Sequence, residues 1–423
     1  MDAQLLGPAN QRQDKHVAPL ILVCGCTILL RLIVVWYMAA HYSAATIYGG
    51  FETAGVGAAI VRGQGFSSLY GIPSGPTAWL APLYPLIVAA AFKLFGLYSM
   101  KAAWCLYFFN ILCATLTTAL LYRIGLRFFG PVIAFAGSLL WAGEFAIAVY
   151  AARIWDSSLS ALIATAAIAW YLRLLELRSS RLEWAAYGLF WAVAALVNTA
   201  LLALMPLGVM VLLYKKWREV RWHALAALLV FICALLPWTV RNYTEFHKII
   251  PIRGNFGPNL WYGNHPGVTG PDDESLDPTQ NPQELAEYLQ LGDAGYAASR
   301  QRMAVGFIRA HPLQFVQLTW SRVLFYWSAG RGWARLLAAG WSILAFAGLF
   351  LVMRQHSLLE TAPFVSALLL YPLPNYLTHT EGFYRHPIEP VIILLGIYSC
   401  FVLAEALISG PWFVRRLRPR PSM

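Results

Sequence analysis

Residues 18–40 form an apolar run interrupted by one charge, Arg31, with Lys15 just ahead of it. About 20 such residues suffice to cross the hydrocarbon core of a bilayer as an α-helix. The run is too long and too uninterrupted for the core of a signal peptide, so it is expected to remain as a first span. The pattern recurs. Spans are expected at 18–40, 101–122, 131–151, 157–177, 184–198, 199–214, 222–240, 334–353, 358–377 and 387–409, ten in all. Composition agrees: 59% of residues are apolar and 12% charged, whereas a soluble domain carries about 25% charged residues. The fold class expected is therefore an all-α polytopic membrane protein, a single transmembrane domain over 1–423.

The net charge of +11 has a simple source in such a chain, because cytoplasmic loops collect Lys and Arg; nucleic acid is not an expected partner. The clusters Arg12/Lys15, Arg123/Arg127, Arg173/Arg178/Arg181, Lys215/Lys216/Arg218/Arg221 and Arg415/Arg416/Arg418/Arg420 fall on one side with ten spans. That side is expected to be cytoplasmic and to hold both termini. Residues 82–98 are also apolar but contain Lys93, Pro82 and Pro85. A crossing there would break the parity, so the segment is expected to lie in the outer interface or to re-enter. Two extracytoplasmic segments follow, 41–100 and 241–333. The second holds the polar run from Pro271-Asp272-Asp273-Glu274 to Asn281-Pro282, then a helical spacing of apolar residues over 282–309. The six cysteines lie in apolar stretches, with no disulfide framework or metal-ligand spacing. No fixed-period repeat is visible, which weighs against an inverted-repeat transporter.

Under this topology the polar residues of interest collect on the outer face: Glu52 after the first span, Asp156 at the head of another, Arg241 and Asn242 closing a third. His379, Glu381, Arg385 and His386 fill the short loop 378–387. Each also has a plainer role. Glu52 can be a solvated helix start, and Asp156 can serve a helix dipole at about 0.3–1 kcal/mol. Arg241 and Arg385 can anchor to lipid phosphates, Arg31 can pair or snorkel, Glu144 is ambiguous, and Asn198 can bond across helices. The tryptophans fit interfacial belts. Gly63-Gln64-Gly65-Phe66 lacks the Lys-Ser/Thr of a phosphate loop and suggests a turn. The convergence of acids and bases on one face points beyond these roles, to an anionic, lipid-borne substrate.

A set of short motifs carries a resemblance. They are Glu52 followed by Ala58-Ala59-Ile60-Val61-Arg62-Gly63-Gln64-Gly65-Phe66, then Thr77-Ala78-Trp79-Leu80-Ala81-Pro82-Leu83-Tyr84-Pro85, and Trp155-Asp156-Ser157-Ser158-Leu159. Pro237-Trp238-Thr239-Val240-Arg241-Asn242-Tyr243, Gly263-Asn264-His265-Pro266 and Tyr384-Arg385-His386-Pro387-Ile388-Glu389-Pro390 complete it. In this order the chain resembles bacterial integral-membrane glycosyltransferases of the GT-C fold, akin to protein O-mannosyltransferases and the lipid A aminoarabinose transferase. Many relatives carry an Asp where this chain has Gly49, three residues before the acid matched by Glu52.

The resemblance implies transfer of a sugar from a polyprenyl-monophosphate donor to a glycan, lipid or protein acceptor, with inversion, on the outer face of the bacterial inner membrane. Glu52 is then the candidate base, with Asp156 orienting the acceptor or sharing that role. Arg241, Arg385 and Arg253 are candidates for the donor phosphate, and Tyr84, His379 and Asn264 for the acceptor or sugar. No cofactor is called for, and two scattered acids give little case for a divalent metal. The alternatives are a transporter or lipid flippase, and a non-catalytic degenerate transferase.

Overall fold

The computed structural model describes residues 8–49, 52–176, 180–271, 273–328, 330 and 332–409, without the side chains of 8–14, 176 and 409. Arg178, Arg415, Arg416, Arg418 and Arg420 of the basic clusters, and Asp272 of the polar run, lie outside that description, as does the side chain of Arg12. Among the described residues the chain is helical without strands; one isolated bridge joins Ser67 and Pro76. Lipid offers no partner for backbone N–H and C=O groups, so a chain this apolar must satisfy them within helices. Its outward side chains are apolar too: Ile21, Leu29 and Trp36 are 65%, 62% and 63% exposed.

Among the described residues, six helical stretches are long and apolar enough to cross a membrane: Lys15–His41, Met100–Phe129, Ser157–Leu175, Thr199–Phe246, Trp333–Gln355 and Gly382–Ile408. A bent pair, Pro131–Gly143 with Phe145–Ala152, turns by 61° and makes a seventh if it is one span. Other expected segments also differ from plain spans, each for a local reason. Arg181–Val197 is a helix of 17 residues, short of the usual length. Expected spans 199–214 and 222–240 are parted where Lys216 leaves helical geometry at φ −129°, ψ 32°. Trp184 meets His223 and Gly188 packs on Ala227, so 181–197 and 217–246 run parallel. The residues between them must return in the opposite direction, with Lys216 at the reversal. Expected span 358–377 divides into Leu358–Val365, a π-helical turn Ser366–Leu370 and Leu373–Leu377. Pro363, Pro372 and Pro374 account for the interruption, since each lacks an N–H for the helix ladder.

Two intramembrane charges are absorbed by the scaffold. Arg31, 1% exposed, donates to the Trp141 and Ala142 carbonyls at 3.3 and 3.1 Å and lies over the Trp141 ring. Glu144 accepts from the Ala146 N–H at 3.2 Å, capping the helix that follows the 61° bend.

One end of the bundle gathers the connecting segments. Tyr48 donates to the Ser99 carbonyl at 2.9 Å, which brings the exit of the first helix beside the start of Met100–Phe129. Between them, Glu52–Val61 packs on Leu83–Phe95, a helix of 13 residues. At the other end Arg127 donates to the Leu172 carbonyl and Arg173 pairs with Glu183.

Candidate functional site

The segments that build the site are locked by backbone contacts. Arg241 donates to the Thr77 and Phe66 carbonyls, both at 2.7 Å, and its guanidinium lies over Trp238 and Phe66. Asp293, 3% exposed, accepts from Thr77 Oγ1, the Ala78 N–H and Tyr288 OH. The 66–78 loop is thereby held both to the end of Pro206–Phe246 and to Pro282–Ala310, which breaks at Gly292, φ 66°. Asn264 donates to the Leu260 and Leu377 carbonyls and accepts from Arg322. A Cβ on Gly263 would stand 1.8 Å from the Thr378 carbonyl oxygen. Only glycine lets these two backbones approach, and that approach sets the position of His379.

These segments enclose a cavity of about 420 Å³. Asp156, Arg253, Tyr84 and His379 line it, with Thr53, Asn198, Asn255, Asn259, Asn375 and Tyr384. Asp156, at the head of Ser157–Glu176, accepts on Oδ2 from Ser160 and from Asn198, both at 2.9 Å. Burial raises its carboxyl above the ordinary range, while those bonds and the positive charge of Arg253 pull it back. Arg253 makes one hydrogen bond among the described residues, from Nε to the Trp79 carbonyl at 3.2 Å. Its two terminal amino groups have no hydrogen-bond partner among those residues. Burial lowers its pKa, and Asp156, Tyr384 and Glu52 oppose that effect.

Glu52 begins Glu52–Val61 and does not itself line the cavity; its neighbour Thr53 does. No other side chain among the described residues donates to it. Burial pushes its carboxyl up to about 7, opposed by its own backbone N–H and by Arg253 and reinforced by Asp277 and Glu381. Gly50 and Phe51, just ahead of it, lie outside the described residues. At Gly49 a Cβ would meet the Ala45 carbonyl oxygen at 2.7 Å, so a side chain there would require the backbone to shift.

Besides Glu52, three candidates stand outside the cavity lining. Arg241 is engaged as described and borders a second hollow of about 620 Å³ with Phe66, Trp238 and Glu245. Arg385 pairs with Glu389 and donates to Ser342 at 3.0 Å and to the Trp327 carbonyl at 3.4 Å. Asn264 is fully buried in its carbonyl clamp. Conversely, the sequence assigned no role to Asn255, Asn259 or Glu274, named Glu381 only as one of the polar residues of loop 378–387, and treated Asn198 as a helix-bonding residue. Proximity in the fold brings them to the site. Tyr384 OH lies 3.2 Å from His379 Nε2, and Glu381 Oε1 lies 3.4 Å from it. Burial and the neighbouring Glu381 push Glu274 up to about 8.

No known protein family profile matches the chain, and no curated protein matches it in sequence. Its fold does have solved counterparts. The archaeal oligosaccharyltransferase AglB of Archaeoglobus fulgidus, in complex with an inhibitory peptide and a dolichol-phosphate, superposes with a TM-score of 0.55 at 12% identity, over 96% of this chain and 54% of that one. The same enzyme tethered to an acceptor peptide gives 0.55 at 12% identity, over 96% and 52%. ArnT of Cupriavidus metallidurans bound to undecaprenyl phosphate gives 0.42 at 14% identity, over 92% and 79%. The chain spans about half the length of the AglB structures. The fold is that of the GT-C membrane glycosyltransferases.

Proposed function

We propose that this chain transfers a sugar from a polyprenyl-monophosphate donor to an acceptor on the extracytoplasmic side of a bacterial cytoplasmic membrane. Both termini would then lie in the cytoplasm. The observation that carries the reading is the pairing, in one cavity, of a buried carboxylate with an arginine whose terminal amino groups are unspent. The archaeal enzyme of the same fold was solved with a dolichol-phosphate and a peptide, which fits a lipid-phosphate donor at such a site.

The chemistry follows from the groups. The acceptor heteroatom attacks the anomeric carbon from the face opposite the phosphate, giving inversion. As that bond forms, the bond from the anomeric carbon to the phosphate oxygen breaks, and its electron pair leaves with the prenyl phosphate. The acceptor proton passes to a carboxylate. Glu52 suits that task because its pKa near 7 matches a base working at neutral pH. Asp156, fixed by Ser160 and Asn198, orients the acceptor. Arg253 meets the charge developing on the departing phosphate, the kind of contact worth about 10²–10³ in rate. Tyr84 and His379 face the sugar or acceptor from the cavity wall. Arg241 and Arg385 act by holding the walls in place.

The test uses purified protein in nanodiscs with a panel of polyprenyl-phosphate sugars, measuring release of free prenyl phosphate. Release by the wild type but not by Glu52→Gln supports the reading and the base. Release by both keeps the class and moves the base to Asp156. No release and no donor binding by folded protein removes the reading.

A further inference from the structure

The region where the 264–281 loop meets residues 379–381 brings together groups far apart in sequence. Thr380 N–H donates to the Pro271 carbonyl at 3.1 Å, docking the loop. Asp273 turns that loop by accepting from Thr269 and from the Ser275 N–H. Glu274 is thereby delivered opposite Glu381 and His379. Ligand-type atoms of these three residues all lie within 4.8 Å of one another, the one such group of three among the described residues.

We propose that Glu274, His379 and Glu381 form a binding site for a divalent cation of the Zn²⁺ or Mn²⁺ kind at the edge of the cavity. Bonds of about 2.0–2.2 Å from imidazole and carboxylate place neighbouring ligands roughly 3.0–3.5 Å apart. His379 Nε2 and Glu381 Oε1 stand at 3.4 Å. The His379 ring is 4% exposed, and its Nδ1 has no hydrogen-bond partner among the described residues. The ring nitrogen that faces Glu381 is Nε2, and burial of the residue shields it from bulk water. The two facing carboxylates repel unless a proton or a cation sits between them. Gln280 Nε2 holds one Glu274 oxygen at 3.0 Å and orients that side chain, while Tyr384 OH, 3.2 Å from His379 Nε2, would yield that nitrogen to a bound cation.

One nitrogen and two oxygens suit Zn²⁺ or Mn²⁺, and the group contains no thiolate to favour a softer ion. Three protein ligands leave coordination open, and His379 lines the cavity, so an oxygen of a bound molecule can complete the shell. Neither Glu52 nor Asp156 belongs to the group. The site is therefore separate from the acids proposed for proton transfer.

The full chain in nanodiscs, stripped with a chelator, would be titrated with Mn²⁺ under electron paramagnetic resonance, and its zinc content measured after dialysis. The expected result is one ion per chain, with affinity falling about tenfold or more in Glu381→Gln and in His379→Ala. Asp156→Asn should bind as the wild type does. Added Mn²⁺ should raise the melting temperature of the wild type and leave those two ligand variants unmoved. Should either ligand variant fail to match the melt of stripped wild type, Glu274→Gln takes its place in the titration, with the same loss of affinity expected. No stoichiometric ion in the wild type, or an ion kept at wild-type affinity by the folded ligand variants, overturns the proposal. Equal loss in Asp156→Asn overturns it as well. The readout is binding, so it stands or falls independently of sugar transfer.

Discussion

Arg241 and Arg253 each border a hollow of this molecule, and the two arginines have opposite surroundings. At the hollow of about 620 Å³, Arg241 is consumed by the Thr77 and Phe66 carbonyls at 2.7 Å and sandwiched among aromatic rings. At the cavity of about 420 Å³, Arg253 spends one hydrogen bond on Trp79, and its two terminal amino groups take no other partner among the described residues. A guanidinium has five N–H donors; what separates a clamp from a ligand-binding group is how many of them the protein's own carbonyls already occupy. Arg385, tied to Glu389, Ser342 and Trp327, falls with Arg241.

The comparison can be broken most sharply at the acid that feels Arg253. Glu52→Gln is expected to lower transfer by about 10²–10⁴, the range for losing a general base, with the fold unchanged by circular dichroism. Its pH signature follows from its environment. A carboxyl raised to about 7 is protonated and idle below that pH and ionised above it, so the rate should rise with pH through about 7. The folded state also holds this proton more tightly than an unfolded chain does. Glu52 therefore disfavours the fold increasingly as pH climbs from the ordinary carboxylate range toward 7.

Arg253→Ala should cost roughly 10²–10³ in turnover with little change in melting temperature. Arg241→Ala should do the reverse: a lower melting temperature, about 1.5–3 kcal/mol for each charged hydrogen bond lost, and turnover per folded molecule within a few-fold of wild type. Parallel assays of turnover and thermal unfolding in the two variants check this. If Arg241→Ala instead loses turnover without loss of stability, the distinction between clamp and ligand-binding arginine collapses.

Much of the frame was legible in the sequence because lipid imposes it. Apolar runs near 20 residues long became helices, and Ser99, Ser180 and Ser357 cap helix starts as their side chains dictate. The breaking near Pro363 was hidden, because hydropathy reports apolar length and not the helix ladder. The site was half legible. Asp156, Arg253, Tyr84 and His379 meet in one cavity, whereas Arg241, Arg385 and Asn264 are drawn into carbonyl, hydroxyl and carboxylate contacts that only the folded chain brings within reach. Glu274 was unreadable for the same reason: more than a hundred positions separate it in sequence from Glu381, and a loop docked through Pro271 and Thr380 brings them together.

The smallest effect is the most discriminating. Asn198 donates to Asp156 Oδ2, and removing it by Asn198→Ala leaves Ser160 as the other side-chain donor on that oxygen. Losing one hydrogen bond to a charged group costs about 1.5–3 kcal/mol, here spread between stability and the orientation of the carboxylate. Turnover should fall about tenfold, as expected for a misplaced acceptor. The decisive quantity is the pH limb. Loss of the Asn198 bond raises the Asp156 carboxyl, because a donor that stabilised its charged form is gone, while Glu52 has no hydrogen bond to Asn198. If Glu52 is the base, the rise of rate with pH stays near 7 in Asn198→Ala. If the limb moves upward with the substitution, the proton is taken by Asp156, and Glu52 acts on the reaction only through its charge beside Arg253.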